Sequence, residues 1–190
     1  MSERKRIVIV GGVAGGASAA ARARRLSEDA EIIVFERGRE ISFANCGMPY
    51  HIGGQIEDRD RLLVQTPEKM WQRYRVEVRT RQEVLRIDRE NSRIVVRDLQ
   101  TGEETSHAYD ELILSPGAEA VRPPIRGADS EGVFTLRNLE DMDAIRGALN
   151  EQETDRAVVV GGGYIGLEMV EALRERKVDV TLAELADQVF

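Results

Sequence analysis

One thiol, two glycine turns and two well-spaced glutamates carry the chemistry readable in this chain. The glycine turns are GGVAGG, from Gly11 to Gly16, and GGGYIG, from Gly161 to Gly166. A glycine turn between a strand and a helix, followed about 20 residues later by an acid, is the pattern that binds dinucleotides. The first glycine makes the tight turn, the second lets a pyrophosphate approach the backbone, and the third lets helix and strand pack closely. The helix start offers free N–H groups to the phosphates. Gly161, Gly163 and Gly166 complete G-x-G-x-x-G, and Glu184 follows Gly166 by 18 residues. A carboxylate there accepts ribose hydroxyls and repels a 2′-phosphate, which favours NADH over NADPH. In the first copy Gly11 and Gly16 match the outer glycines, and Glu36 follows Gly16 by 20 residues. Val13 takes the middle place, with Gly12 and Gly15 offering clearance. Two such patterns point to two cofactors, and a flavin with a nicotinamide is the usual pair.

The thiol is Cys46, the sole cysteine, in the segment SFANCGMPYHIGG. Gly47 and Pro49 predict a turn into a short helix, and a helix start biases a thiol toward the reactive thiolate. A lone cysteine can equally be an inert, buried small hydrophobe. Polar neighbours (Ser42, Asn45, Tyr50) favour reactivity, but the residues alone leave both readings open. The two histidines, His51 and His107, lack metal-ligand spacing, so no metal site is expected. His51 could act as a base near Cys46 or simply pack. Arginines cluster at Arg22, Arg24 and Arg25 and at Arg73 and Arg75, where they could hold a small anion.

The elements needed to position these groups follow from periodicity. Ile7–Val10 and Ile32–Phe35 are short apolar runs of the buried parallel type, joined by the helix of ASAAARARRLSE. Thr66, Pro67 and Glu68 mark a helix start for TPEKMWQRYR. Residues 76–109 switch to period two (VEVRT, EVLRID, RIVVRDL) and read as a small antiparallel insertion. Glu111–Leu114 is a further strand, closed by Ser115, Pro116 and Gly117. A proline-bearing linker spans 121–137, and a helix is expected at about Asn138–Leu149. Strand, glycine turn, helix, strand and acid then recur about 150 residues after their first appearance. The fold class is α/β, a doubly wound parallel sheet whose second unit breaks off at Phe190. The expected domains are 1–120, including the insertion and the cysteine segment 42–54, and 138–190.

Composition narrows the classes. The net charge of -7 leaves no basic surplus for nucleic acid. No apolar run approaches the roughly 18–20 residues of a membrane span. A single cysteine excludes an internal disulfide and fits a reducing compartment, so the expected location is cytoplasmic.

Together these segments resemble the pyridine nucleotide-disulfide oxidoreductases, in their single-cysteine branch. The resemblance runs through IVIVGGVAGGASAAARARR, SFANCGMPYHIGG, TPEKM, YDELILSPGA, FTLRNLEDMDAI and VVVGGGYIGLEMVEAL. The match of GGVAGG and SFANCG is similar to the group that reduces coenzyme A disulfide or persulfides, and Val13 is what that group shows. The resemblance implies a Rossmann-like three-layer fold with FAD on Gly11, Gly12, Val13, Ala14, Gly15, Gly16, Glu36 and Arg37. Ser42, Asn45, Val84, Ser115, Pro116 and Gly117 would complete that site. It implies NADH, with NADPH less favoured, on Gly161, Gly162, Gly163, Tyr164, Ile165 and Gly166, with Glu168 and Glu184. Cys46 would be the redox nucleophile, and Ser18, Arg22, Arg25, Ser42 and Asn45 would hold a coenzyme A-type disulfide or persulfide. Members of the family are homodimers whose C-terminal parts complete the site. The expectation is therefore the N-terminal part of such an enzyme, with weak or absent turnover alone. The alternatives are an NADH oxidase or peroxidase cycling Cys46 through a sulfenic acid, or a catalytically incomplete nucleotide-binding fragment.

Overall fold

A computed structural model describes residues 4–151 and 154–189; Phe190, where the second repeat breaks off, lies outside them. In chain order the elements are β1 (Arg6–Val10), α1 (Ala14–Leu26), β2 (Glu31–Glu36), α2 (Met48–Gly53), α3 (Pro67–Tyr74), β3 (Glu77–Thr80), β4 (Gln82–Asp88), β5 (Arg93–Asp98), β6 (Glu104–Ala108), β7 (Glu111–Leu114), α4 (Leu139–Glu151), β8 (Arg156–Val160), α5 (Tyr164–Glu175) and β9 (Asp179–Ala183). They form two compact units. The first holds the chain up to Phe43 together with Leu63–Ala118, and the second holds Ala44–Leu62 and the chain from Glu119 onward.

The first unit has three layers around a parallel sheet of order β3-β2-β1-β7. Alternate residues of its central strands serve opposite faces, as the pleat requires. Ile9, Ile32 and Val34 pack with Ala20 of α1, Met70 of α3, Ile41 and Val76. Val8, Ile33 and Phe35 pack with Ile94 and Val96 of the antiparallel sheet β4-β5-β6. Burial on both faces is why these strands carry no polar residue at their centres. The helix predicted from Thr66 is present: Thr66 Oγ1 accepts the Lys69 N–H at 3.3 Å, and Pro67 opens α3.

One strand differs from expectation. Glu77–Thr80, read with the antiparallel insertion, pairs parallel with β2 from Ile33↔Glu77 to Glu36↔Thr80. The insertion proper is the three strands from Gln82 to Ala108. Arg81, at φ +56, is the single residue that separates the two sheets along the chain.

In the second unit β8 and β9 pair in parallel, from Arg156↔Asp179 to Val160↔Ala183, with α5 as the crossover. Leu139 and Met142 of α4 and Met169, Ala172 and Leu173 of α5 are buried. The six-residue α2 is too short to hold itself and depends on packing. It buries Met48, Pro49, His51 and Ile52 and lies against α4 and α5. Gly53 approaches so closely that a Cβ there would come 3.1 Å from Ala172 Cα. That packing groups Ala44–Leu62 with the second unit, whereas the sequence reading kept residues 42–54 with the first. Residues 115–138 carry no helix or strand. No helix among the described residues is long and apolar enough to cross a membrane.

Candidate functional site

The first glycine turn is built by close approach. Gly11 has φ +90, and its N–H donates to Phe35 O at 2.8 Å. A Cβ on Gly11 would overlap the Ser115 carbonyl, and a Cβ on Gly16 would overlap the carbonyl of Gly11 itself. Gly15 lets Ser115 sit beside the start of α1, where a Cβ would meet Ser115 Oγ at 3.1 Å. Glu36 holds the turn: Oε2 accepts the Gly12 N–H at 2.6 Å and Oε1 accepts the Gly38 N–H at 2.7 Å. Ser42, at φ +46, donates its N–H to Gly12 O at 3.1 Å. Thus Gly11, Gly12, Gly15, Gly16, Glu36, Ser42 and Ser115 come together. Ala14 is exposed and Val13 half-buried. Pro116 and Gly117 continue the strand end, Gly117 at φ +73. Val84 instead packs against the Phe35 cluster, and Arg37 lies 3.8 Å from Glu83.

The second turn repeats the first bond for bond. Gly161 has φ +102, and its N–H donates to Ala183 O at 2.8 Å. A Cβ on Gly166 would overlap the Gly161 carbonyl. Glu184 Oε1 accepts the Ala186 N–H at 2.9 Å and Oε2 the Gly162 N–H at 2.5 Å. These backbone donors hold the Glu184 carboxyl below the usual range. Gly163, Tyr164 and Ile165 are exposed and Glu168 is half-buried.

Neither α1 nor α5 has a side-chain cap on its first N–H groups. Uncapped helix starts behind glycine turns are what a pyrophosphate needs, so both turns fit dinucleotides. Gly163 sharpens the fit, since a Cβ there would meet nothing within 4 Å. The protein itself has no packing reason for glycine at that place.

Cys46 is exposed, in a 3-10 turn spanning Asn45–Gly47 that runs directly into α2. The Gly47 N–H donates to Ala44 O at 2.9 Å, and the Ala44 N–H donates to Leu62 O at 2.8 Å. Exposure removes the inert, buried reading of this thiol. His51 is the reverse case. It is buried at 3% exposure, with Nδ1 2.7 Å from Ile56 O and Arg146 Nη1 against the ring. Among the described residues, no group of three or more His, Cys, Asp or Glu side chains could hold a metal.

The arginine cluster divides. Ser18, Arg22 and Arg25 share one exposed face of α1. Arg24 is structural: Nε donates to Tyr74 O at 2.7 Å, Nη2 to Arg75 O at 3.0 Å and Nη1 to Glu28 O at 2.5 Å. It satisfies the carbonyls that end α3 and α1. At the same end of α3, Arg73 lies over Tyr74 and Arg75 over Trp71, at 5.2 and 5.6 Å from the ring centroids.

Two nucleotide-type turns and an exposed lone thiol are the features of a two-cofactor redox protein, and the comparisons agree. The pyridine nucleotide-disulphide oxidoreductase family matches residues 5–190, and the chain belongs to that family. It is 45% identical over 184 residues to the coenzyme A disulfide reductase of Staphylococcus aureus, covering 97% of this chain and 41% of that protein. The crystal structure of reduced Bacillus anthracis CoADR-RHD superposes with a TM-score of 0.97 at 52% identity, over 99% of this chain and 34% of that one. The NAD-dependent persulfide reductase of A. fulgidus superposes at 0.92 with 35% identity, over 97% and 35%. The chain therefore spans about two-fifths of the length of the curated relatives it matches.

Proposed function

We propose that this chain is the nucleotide- and thiol-bearing part of an NADH-dependent flavoprotein that cleaves the S–S bond of a coenzyme A-type disulfide or persulfide. In this reading residues 1–120 hold FAD, and 138–190 begin the domain that holds NADH. Bound FAD, fed by NADH, supplies the electron pair that returns the reacting sulfur to its reduced state. The Cys46 thiolate attacks the substrate sulfur, the S–S bond breaks, and the departing thiolate takes a proton. Exposure on a turn gives Cys46 Sγ the access that this attack needs. Gly11–Gly16, with Glu36, and Gly161–Gly166, with Glu184, hold the two pyrophosphates and adenosine riboses. Ser18, Arg22 and Arg25 take the anionic end of the substrate, because free guanidinium forks suit phosphates. Tyr74 ends α3, and Arg73 and Arg75 keep positive charge at that helix end.

The observation that carries this reading is the exposed lone cysteine, joined to the match with a coenzyme A disulfide reductase along 97% of the chain. The test is NADH consumption by the protein, offered coenzyme A disulfide, coenzyme A persulfide, peroxide and oxygen in parallel. Turnover is expected with the first two, falling at least 100-fold in Cys46→Ser. Full activity in that variant would refute the thiol mechanism. A preference for peroxide or oxygen would move the assignment to an oxidase working through a sulfenic acid.

A further inference from the structure

The mechanism above makes no use of His51, yet this is the one buried ionisable side chain among the described residues. It stands five residues after Cys46, on the short helix that carries the cysteine turn. Its hydrogen bonds fix its state. Nδ1 lies 2.7 Å from the Ile56 carbonyl, which can only accept, so Nδ1 carries the ring proton. Arg146 Nη1, from α4, lies 2.5 Å from Nε2 and 2.7 Å from Nδ1. The two distances together place Nη1 over the ring face, out of line with the in-plane lone pair of Nε2, and its positive charge there favours the neutral ring.

The surroundings are charged on every side that packs against the ring. From α4 come Arg146 and Asp143, and Asp143 is paired with Arg59 of the 59–62 turn at 2.9 Å. Arg146 also reaches the Glu57 carbonyl at 3.5 Å. Just after α5, Arg176 donates to Ile52 O at 3.4 Å and to Asn150. The His51–Arg146 bond thus joins the cysteine-bearing segment to α4. The Arg176 bond to Ile52 O is a second tie to the segment, and the Ile56 N–H to Tyr50 O, at 3.1 Å, is internal to it.

We propose that His51 is a proton-operated latch on the Cys46 segment: a second ring proton sets a positive charge directly against the Arg146 guanidinium, and α2 loses its seat against α4. Two cationic groups then face one another, His51 buried and Arg146 half-buried, and the ring is solvated only by moving away. Because Gly47 and Met48 continue directly from Cys46, unseating α2 also releases the turn that presents the thiol. This consequence for the chemistry rests on the reading of Cys46 as nucleophile; the latch itself does not.

The sign of the pH effect follows from the surroundings. Burial holds His51 below its ordinary 6.5, against the pull of the Ile56 carbonyl, and the Arg146 charge adds to the lowering. The unfolded or unseated ring therefore takes up a proton first as the pH falls. Stability from the latch is complete above about 6.5 and is lost as the pH drops through the lower folded value.

Amide hydrogen exchange of the full chain reads the latch without any catalysis. Protection of the peptide spanning residues 46–56, corrected for the intrinsic rate, is expected to fall by up to about tenfold per unit of pH between about 6.5 and the lower folded midpoint of His51, and to level off below it. The peptide spanning β1 should keep its protection. His51→Gln retains an acceptor that does not titrate, so its protection should be flat over the same range. Cys46→Ser should show the wild-type response, which separates this inference from the thiol mechanism. If His51→Gln does not fold, the ring resonances of His51 in the wild-type chain must titrate at the pH where the loss of protection levels off. A wild-type peptide that keeps its protection in acid, an unchanged fall in His51→Gln, or a ring midpoint apart from that levelling-off overturns the proposal.

Discussion

Arg22, Arg24 and Arg25 are indistinguishable as letters, and the structure gives them opposite work. Arg24 closes two helix ends through backbone carbonyls, those of α3 lying 50 and 51 residues from it in the chain. Arg22 and Arg25 point to solvent from the face that also bears Ser18. Arg24→Ala should therefore cost about 2 kcal/mol by denaturant unfolding, since it strips partners from several carbonyls at once. Arg22→Ala and Arg25→Ala should stay within about 0.5 kcal/mol of wild type, as exposed substitutions do. If the substrate reading is right, these same two variants raise KM for coenzyme A disulfide. Glu36 and Glu184 carry a similar lesson. Their spacing from the glycines was legible, and it is the spacing that suggests a nucleotide role. That each also ties the second glycine of its own turn, and the N–H two residues further on, emerged only from the folded geometry.

At the scale of elements, the twofold unit of strand, glycine turn, helix and strand is the most legible part of the fold. Positive φ at Gly11 and Gly161 is a local demand, met only by a residue without a Cβ. The glycines nevertheless differ in purpose. Gly16→Ala and Gly166→Ala force a methyl group onto a backbone carbonyl and should each lose about 1–3 kcal/mol. Gly163→Ala adds a methyl group to open space at φ -74, so its melting temperature should stay at the wild-type value. NADH affinity should fall in that variant all the same, because the methyl group would meet a pyrophosphate bound at that turn. Melting curves of the three variants decide this. β3 shows where pattern reading stops. VEVRT and EVLRID share period two, and periodicity says nothing about which edge a strand joins. The open edge of β2, four residues long beside Glu77–Thr80, made that choice.

For the molecule as a whole, two units are joined through a stretch from 115 to 138 with no regular structure. Val121 in it is 87% exposed, and the bonds within it are local turns together with those of the Arg122 side chain to the Ala128 and Val133 carbonyls. Limited trypsin digestion should cut first after Arg126, since Pro123 protects the bond after Arg122. A first cut within β1 or β8 would contradict this ordering. The same scale explains the two treatments of the cysteine segment. Near Cys46 the sequence announces a turn and a short helix, and both are there. The packing of that helix on α4 and α5 joins residues nearly a hundred positions apart, which no local pattern records. By itself the sequence determined the glycine turns, the acids at their set distances and the lone thiol on its helix-leading turn, because φ limits, helix starts and strand ends act over a few neighbours. Only the tertiary structure decided that Arg24 is structural, that β3 belongs to the parallel sheet and that His51 is buried against Arg146, because each depends on contacts between segments distant along the chain.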